Sequence, residues 1–171
     1  LFDVEGLQEA SDRILPNLRG FLQYANVEGQ ASLLAALIGL CGERGIACAP
    51  DEIMVTGGAQ HGMALLSRVL LAQGDNVIVE DPAFPNTVQA FRYTGAHVHG
   101  VPVTSAGVDV DALDEMAARL KPKIVSVVAS FSNPGGATVS RENRLRLLQL
   151  AVKHRFLLIE DDPYGELRYC G

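Results

Sequence analysis

The stretch FLLIEDDPYG, residues 156–165, runs four apolar residues directly into three carboxylates, a proline, a tyrosine and a glycine. The apolar run is typical of a strand that is buried on both faces of a parallel sheet. The charges at its end place at least one carboxylate at a strand tip, where open α/β sheets bind their ligands. This stretch therefore predicts both a strand and a site.

Other runs rich in valine and isoleucine precede this one, with helical patterns between most of them. The predicted strands are EIMVTG (52–57), NVIVED (76–81), AHVHGVPV (96–103), KIVSVVAS (123–130) and FLLIEDD (156–162). The predicted helices cover residues 30–44, 59–72, 109–120 and 140–154, the last with Ser140 as its N-cap. Strands that alternate with helices predict an α/β fold, a mostly parallel sheet with helices on both faces.

Composition disfavours several classes of protein. The chain has 171 residues, 48% of them hydrophobic, and a net charge of −6 without any basic stripe, so we expect no direct binding to nucleic acid. No apolar run reaches the roughly 18 residues that a membrane span needs. Its three cysteines, Cys41, Cys48 and Cys170, lack CxxC spacing, so we expect reduced thiols and a cytoplasmic location. His97 and His99 have no further ligand nearby, so we expect no metal site.

Three of the segments that follow the other predicted strands also have unusual sequences. TGGAQ (56–60) puts two glycines before a helix, a turn that can bind phosphate but that also serves as an ordinary connection. EDPAFP (80–85) holds Phe84 between two prolines, either as a core residue or as a ring over a flat ligand. SFSNPGG (130–136) directs the amide of Asn133 out of the sheet, unless it is only a turn.

In this order along the chain, these segments resemble the first half of the large domain in fold-type I, pyridoxal-phosphate-dependent aminotransferases. The subgroup that also forms the effector domain of MocR-type (GntR-linked) regulators is the most similar. The resemblance rests on LFDVEGL, the turn Tyr24–Gly29, VTGGAQHGM, GDNVIVEDPAFP, GVDVDALDE, SNPGGATVSRENRLRLLQLA and IEDDPYGEL. It implies an N-terminal helical segment, 1–50, and a partial cofactor-binding large domain, 51–171.

The resemblance implies a role for each residue around the cofactor ring. Asp161 would face the ring nitrogen and keep it protonated, because an opposite charge favours the charged form. Asp162 would be a turn or helix-start residue rather than the partner of the nitrogen. Tyr164 and Asn133 would hydrogen-bond the phenolic oxygen, and Phe84 would stack on the ring. The catalytic roles in this chain would belong to Asp161 and Tyr164.

The resemblance also implies how the phosphate is held. Gly58, Ala59 and Gln60 would bind it through backbone N–H groups, and Ala59 replaces a serine that many relatives have. Tyr24 would reach across a homodimer interface to the phosphate of the partner. The substrates would be an amino acid and a 2-oxo acid.

Several parts of the family pattern are absent from these 171 residues. The lysine that forms the Schiff base, the arginine that binds the substrate carboxylate and the small domain have no counterpart, and Lys121, Lys123 and Lys153 stand in no matching position. Two strands of the family sheet are also missing, so we expect the strand over 52–57 to lack neighbours in the sheet. We expect the chain to be part of a longer polypeptide and to be inactive alone.

An aminotransferase is the leading functional prediction. The alternative is the cofactor-sensing effector domain of a MocR/GntR-type transcriptional regulator, which a helix-turn-helix domain before Leu1 would indicate. A lyase, racemase or decarboxylase on the same scaffold is a third option. A nucleotide-binding domain is disfavoured, because neither GxGxxG nor a P-loop is present.

Overall fold

The structure, a computed structural model, describes residues 2–24 and 26–167. Within it the chain divides into two compact units, Leu1–Thr56 and Gly57–Gly171. Among the described residues, no helix is both long enough and apolar enough to cross a bilayer.

The first unit is helical. It contains α1 (Val4–Ile14), α2 (Leu18–Phe21) and α3 (Ala31–Glu43), with short 3-10 helices at Leu15–Asn17 and Pro50–Glu52. Asp3 begins α1, because its side chain accepts a hydrogen bond from the Gly6 N–H at 2.9 Å. Neither α1 nor α3 contains a buried residue.

The predicted strand over 52–57 is wrong. Residues 53–56 belong to no strand of the five-stranded sheet, and Ile53 is extended without a ladder. The Val55 N–H donates to the Glu28 carbonyl at 2.9 Å, which is a single bond. A β-rich sequence becomes a strand only where a neighbouring strand completes its hydrogen bonds.

The second unit is the α/β body of the chain, and it confirms the predicted fold class. Its elements are α4 (Ala59–Leu70), β1 (Asn76–Asp81), α5 (Pro85–Arg92), β2 (His97–Thr104), β3 (Gly107–Val108), α6 (Val110–Leu120), β4 (Ile124–Val128), α7 (Arg141–His154) and β5 (Leu157–Asp161). The strand order is β3-β2-β1-β4-β5, and only β3 pairs antiparallel. The short elements α5 and β3 were not predicted.

The sheet is covered on both faces, because successive strand residues point in opposite directions. On one face Val77, Val79 and Ile124 pack with Met63 of α4 and Phe91 of α5. The other face carries the larger cluster, which α6 and α7 cover. Its members include Ile78, Val101, Val125, Val127, Leu113, Ala117, Leu147 and Leu150.

The chain leaves β1 and β4 in opposite directions, so a crevice opens between their carboxyl ends. The connection through α5 runs on one face to β2, while the connection through α7 runs on the other face to β5. The ladder between β1 and β4 stops at Val79 and Ser126. Beyond it, the Glu80 carboxylate accepts the Val128 N–H at 3.2 Å in place of a backbone carbonyl.

Candidate functional site

The turn before α4 is built to expose backbone N–H groups. Gly58 begins the helix with φ of 99°, a conformation that glycine tolerates best, and as the cap residue it has no side chain that could accept the first N–H groups of the helix. The Gly57 N–H donates to Nδ1 of His61 at 3.0 Å. The first N–H groups of a helix have no partner within it, so those of Ala59 and Gln60 can donate to an anion at the positive end of the helix dipole.

The Gln60 side chain has a structural task. Its Nε2 donates to the Asn86 carbonyl at 3.0 Å and so ties the start of α4 to the start of α5. Because α5 begins just after β1, this bond holds the glycine turn at the carboxyl edge of the sheet. Phe84, the residue before α5, is 41% exposed at the same edge.

Asn133 and Tyr164 are in contact although they lie 31 positions apart in the sequence. The Asn133 amide Nδ2 donates to the Tyr164 hydroxyl at 3.2 Å. Both residues line an open cavity of about 550 Å³, together with Ser132 and Leu167. This juxtaposition follows from the parallel pairing of β4 and β5, which brings the two strand tips side by side.

Asp161 is the last residue of β5 and is partly buried. Burial raises the pKa of its carboxyl group, and the negative charge of Asp162 raises that pKa further. In the part of the chain that the structure describes, no hydrogen bond or ion pair holds this carboxylate. The Asp162 carboxylate instead lies against Gly165 in the turn that follows.

Tyr24 lies in the first unit, and its side chain is fully exposed. Its expected reach to a partner subunit therefore stays a prediction.

The cysteines and histidines belong to no metal site among the described residues. The thiols of Cys41 and Cys48 form no disulfide, and Cys170 lies outside the described residues. His99 binds Asn76 Oδ1 at 2.8 Å through its Nε2. Across residues 2–24 and 26–167, no group of three or more His, Cys, Asp and Glu side chains could hold a metal.

Two charged residues near the site were missed by sequence reasoning. Glu80 is 4% exposed, and burial raises its pKa although the Val128 N–H lowers it in part. Arg144 of α7 donates to the loop that carries Asn133 and to Glu160. Glu80 could have been recognised as unusual because it is a charged residue in an otherwise apolar strand. Nothing in the sequence around Arg144 distinguishes it from the other charged residues of its helix.

Comparison with known proteins gives the family. The family model for class I and II aminotransferases matches residues 5–170. The chain belongs to this family. The resemblance inferred from the motifs is thereby confirmed.

Individual relatives of this aminotransferase chain agree with the family model. Aromatic-amino-acid aminotransferase 1 of Thermococcus litoralis is 37% identical over 99% of this chain and 42% of its own length. The transcriptional regulator TauR of Rhodobacter capsulatus is 40% identical over 74% of this chain and 25% of its own length. A crystal structure of Pyrococcus horikoshii kynurenine aminotransferase, in complex with PMP and kynurenine, superimposes on this chain with a TM-score of 0.93 and 36% sequence identity. The match covers 99% of this chain and 44% of the chain in that crystal structure. The chain thus spans less than half the length of the aminotransferases that it matches.

The residues of this aminotransferase chain fit pyridoxal phosphate, the cofactor of the family. The first N–H groups of α4 suit a phosphate, which accepts hydrogen bonds and carries negative charge. The carboxylate of Asp161, which has no cation among the described residues, suits a cationic ring nitrogen, and the amide–hydroxyl pair of Asn133 and Tyr164 suits a phenolic oxygen. All three groups stand at the carboxyl edge of one sheet.

Proposed function

We propose that this chain supplies the cofactor-binding part of a pyridoxal-phosphate-dependent aminotransferase. The reaction moves an amino group between an amino acid and a 2-oxo acid. The observation that carries the proposal is the contact between Asn133 and Tyr164, together with the partly buried carboxylate of Asp161 at the end of β5. The described residues offer that carboxylate no cation, and a group with a raised pKa at a strand tip is typical of a functional site.

Bound pyridoxal phosphate supplies an electron sink at the carbon that loses its proton. Asp161 would hold a proton on the ring nitrogen, because its negative charge would favour the cationic form of the ring. Asn133 and Tyr164 would orient the ring through its phenolic oxygen. Phe84 would stack on the ring and exclude water, and the N–H groups of Gly58, Ala59 and Gln60 would anchor the phosphate.

The remaining parts of the proposal concern the whole protein. The lysine that bonds to the cofactor lies outside these 171 residues, so the chain alone does not turn over substrate. Residues 51–171 belong to the cofactor-binding domain, and residues 1–50 form the helical segment before it. The protein is a cytoplasmic homodimer in which Tyr24 reaches the phosphate of the partner. The similarity to aminotransferases more than twice as long supports placing the lysine outside these residues.

The test uses Asp161→Ala in the full-length protein. Transamination between glutamate or alanine and a 2-oxo acid should fall at least a hundredfold, about what loss of a preorganised electrostatic group costs an enzyme. Circular dichroism should show that the fold is kept. Glu115→Ala, an exposed acidic residue on α6, is the control and should keep its activity. Near wild-type turnover in Asp161→Ala would contradict the assignment.

A second candidate is the effector domain of a transcriptional regulator, and the similarity to TauR favours it. Such a domain would bind pyridoxal phosphate at the same residues. The distinguishing assay mixes the full-length protein with pyridoxal phosphate and an amino donor. Release of a 2-oxo acid from the donor together with amination of an added acceptor supports the enzyme. Cofactor-dependent binding to DNA without that transfer supports the regulator.

A further inference from the structure

Arg144 joins both ends of the loop that carries Asn133. It lies on α7, where Ser140 caps the helix by accepting the Asn143 N–H at 3.2 Å. Its Nε donates to the Val139 carbonyl at 3.1 Å, at the end of the loop. One terminal nitrogen donates to the Ala129 carbonyl at 2.9 Å and to Oγ of Ser130 at 3.1 Å, at the beginning of the loop.

The other terminal nitrogen of Arg144 reaches the neighbouring strand. It donates to Oε1 of Glu160 at 3.1 Å, and Glu160 directly precedes Asp161 on β5. Both side chains are partly exposed, at 37% and 50%, so the ion pair itself adds little to stability. Its effect is geometric, because one planar guanidinium fixes the tips of two adjacent strands relative to each other.

The loop between these anchors is closed by its own hydrogen bonds. Val139 N–H donates to the Ala129 carbonyl at 3.0 Å, and Ser132 N–H donates to the Ala137 carbonyl at 2.8 Å. Asn133 therefore sits at the tip of a narrow loop whose base Arg144 holds. A small rotation of that base would move the Asn133 amide away from the Tyr164 hydroxyl.

We propose that Arg144 is a positioning residue that sets the distance between Asn133 and Asp161, so that both can meet the same pyridoxal ring. The inference rests on the proposed function, and it assigns a role to a residue that does not itself touch the cofactor. Lysine could not replace it, since one ammonium group cannot donate along the separate directions that the guanidinium fork serves.

Arg146 provides a matched control on the same helix. It lies two residues further along and forms an ion pair with Asp111 of α6, away from the loop. Replacing it removes the same charge and a side chain of the same length, and it is as exposed as Arg144 at 37%. Any effect that is specific to Arg144 therefore reports on the strand tips rather than on the charge of α7.

The test compares Arg144→Ala, Arg144→Lys and Arg146→Ala in the full-length protein. The readouts are the Kd for pyridoxal phosphate, from fluorescence titration, and the visible circular dichroism of the bound cofactor, which reports the orientation of the ring. Arg144→Ala should weaken binding about tenfold, the low end of what losing an outer supporting contact costs at metal sites, and should change the dichroic band. Arg144→Lys should resemble Arg144→Ala, and Arg146→Ala should resemble the wild type.

A double-mutant cycle with Asn133→Ala separates positioning from general stability. If Arg144 acts through Asn133, the double variant should bind little worse than Asn133→Ala alone, because coupled residues are not additive. Should Arg144→Ala fail to fold, Arg144→Lys carries the same comparison.

The possible failures are distinguishable. Wild-type protein that binds no pyridoxal phosphate would overturn the proposed function and this inference with it. Wild-type protein that binds the cofactor, together with an Arg144→Lys variant whose affinity and dichroism equal those of Arg146→Ala, would overturn this inference alone. Full additivity in the cycle would do the same.

Discussion

Asp161 occupies a position that is unfavourable for a charge. Burial disfavours the ionised form, and the neighbouring Asp162 repels it, so both effects raise the pKa of Asp161. No cation within the described residues offsets that cost. The proposed function gives this carboxylate a partner, because a cationic group bound there would offset the cost of its charge.

Replacing Asp161 by asparagine should therefore stabilise the cofactor-free protein at neutral pH. A carboxyl group whose pKa is raised by folding keeps its proton up to a higher pH in the folded state than in the unfolded state. Its destabilising effect is absent below the unfolded pKa and complete above the folded pKa. The urea midpoint of Asp161→Asn should exceed that of the wild type at pH 7, and the difference should disappear at acidic pH.

Glu115→Gln is the control for Asp161→Asn. It removes a carboxylate from an exposed position on α6 and should shift the urea midpoint far less at pH 7. An Asp161→Asn midpoint below the wild-type value at neutral pH would show that the carboxylate has a partner in the folded protein.

The contacts of single residues were the part of the site that sequence could not supply. The types of residue at the strand tips indicated a ring, an amide, a carboxylate and a phosphate turn. The distance between Asn133 and Tyr164 and the anchoring by Arg144 depend on which strands are neighbours. Neither follows from the spacing along the chain.

At the level of secondary-structure elements, the turn between β2 and β3 packs against the end of the loop that carries Asn133. Gly107 has φ of 88°, and a Cβ there would lie 2.7 Å from the Val139 Cα. Val139 ends the loop and is one of the anchors of Arg144. The β2–β3 turn is thus packed against the base of the candidate site.

Gly107→Ala should destabilise the protein by about 2–4 kcal/mol, combining the strain of a left-handed backbone with overpacking. Gly74→Ala is the matched variant. Gly74 has φ of 86°, but a Cβ there meets nothing within 4 Å, so only the strain remains. Urea unfolding measures both variants. Equal losses of unfolding free energy would show that Val139 moves aside without cost.

The central strands β1 and β4 could be predicted because their runs rich in valine and isoleucine need burial on both faces. The strand β5 was predicted correctly, but its expected burial on both faces is wrong, because β5 lies at the edge of the sheet and Leu157 is 52% exposed. The strand over 52–57 has the same kind of sequence but no neighbouring strand in the described residues, so local preference alone was misleading. The helix α5 was missed because EDPAFP was interpreted only through Phe84, either as a core residue or as a ring over a ligand. Pro85 in fact occupies the first helical position, where proline is well tolerated.

At the scale of the whole molecule, the two hydrophobic clusters lie within Gly57–Gly171, and the candidate site stands at one edge of the sheet between them. Four separate segments of this unit contribute to the candidate site: the start of α4, the residue before α5, the loop after β4 and the end of β5. Binding a ligand there ties distant parts of the chain together. Ligand binding and folding should therefore be linked.

Pyridoxal phosphate should raise the thermal unfolding temperature of the full-length protein. At a concentration one hundred times the Kd, a ligand that binds only the folded state adds about 2.7 kcal/mol of stability. Pyridoxal without its phosphate should add clearly less at the same concentration, because the N–H groups before α4 then have no anion to bind. Differential scanning fluorimetry makes the comparison. Equal shifts for the two compounds would argue against a phosphate at the glycine turn.

The pairing of β1 with β4 ends at Val79 and Ser126, two residues before β4 and β5 separate at Val128 and Asp161. An apolar, β-branched residue at position 80 would remove the carboxylate that accepts the Val128 N–H. It would also favour continued backbone pairing of β1 with β4 up to their carboxyl ends. The entrance for a ligand would then shrink although every residue around it was unchanged. This entrance is therefore preserved by an interruption in strand pairing at Glu80.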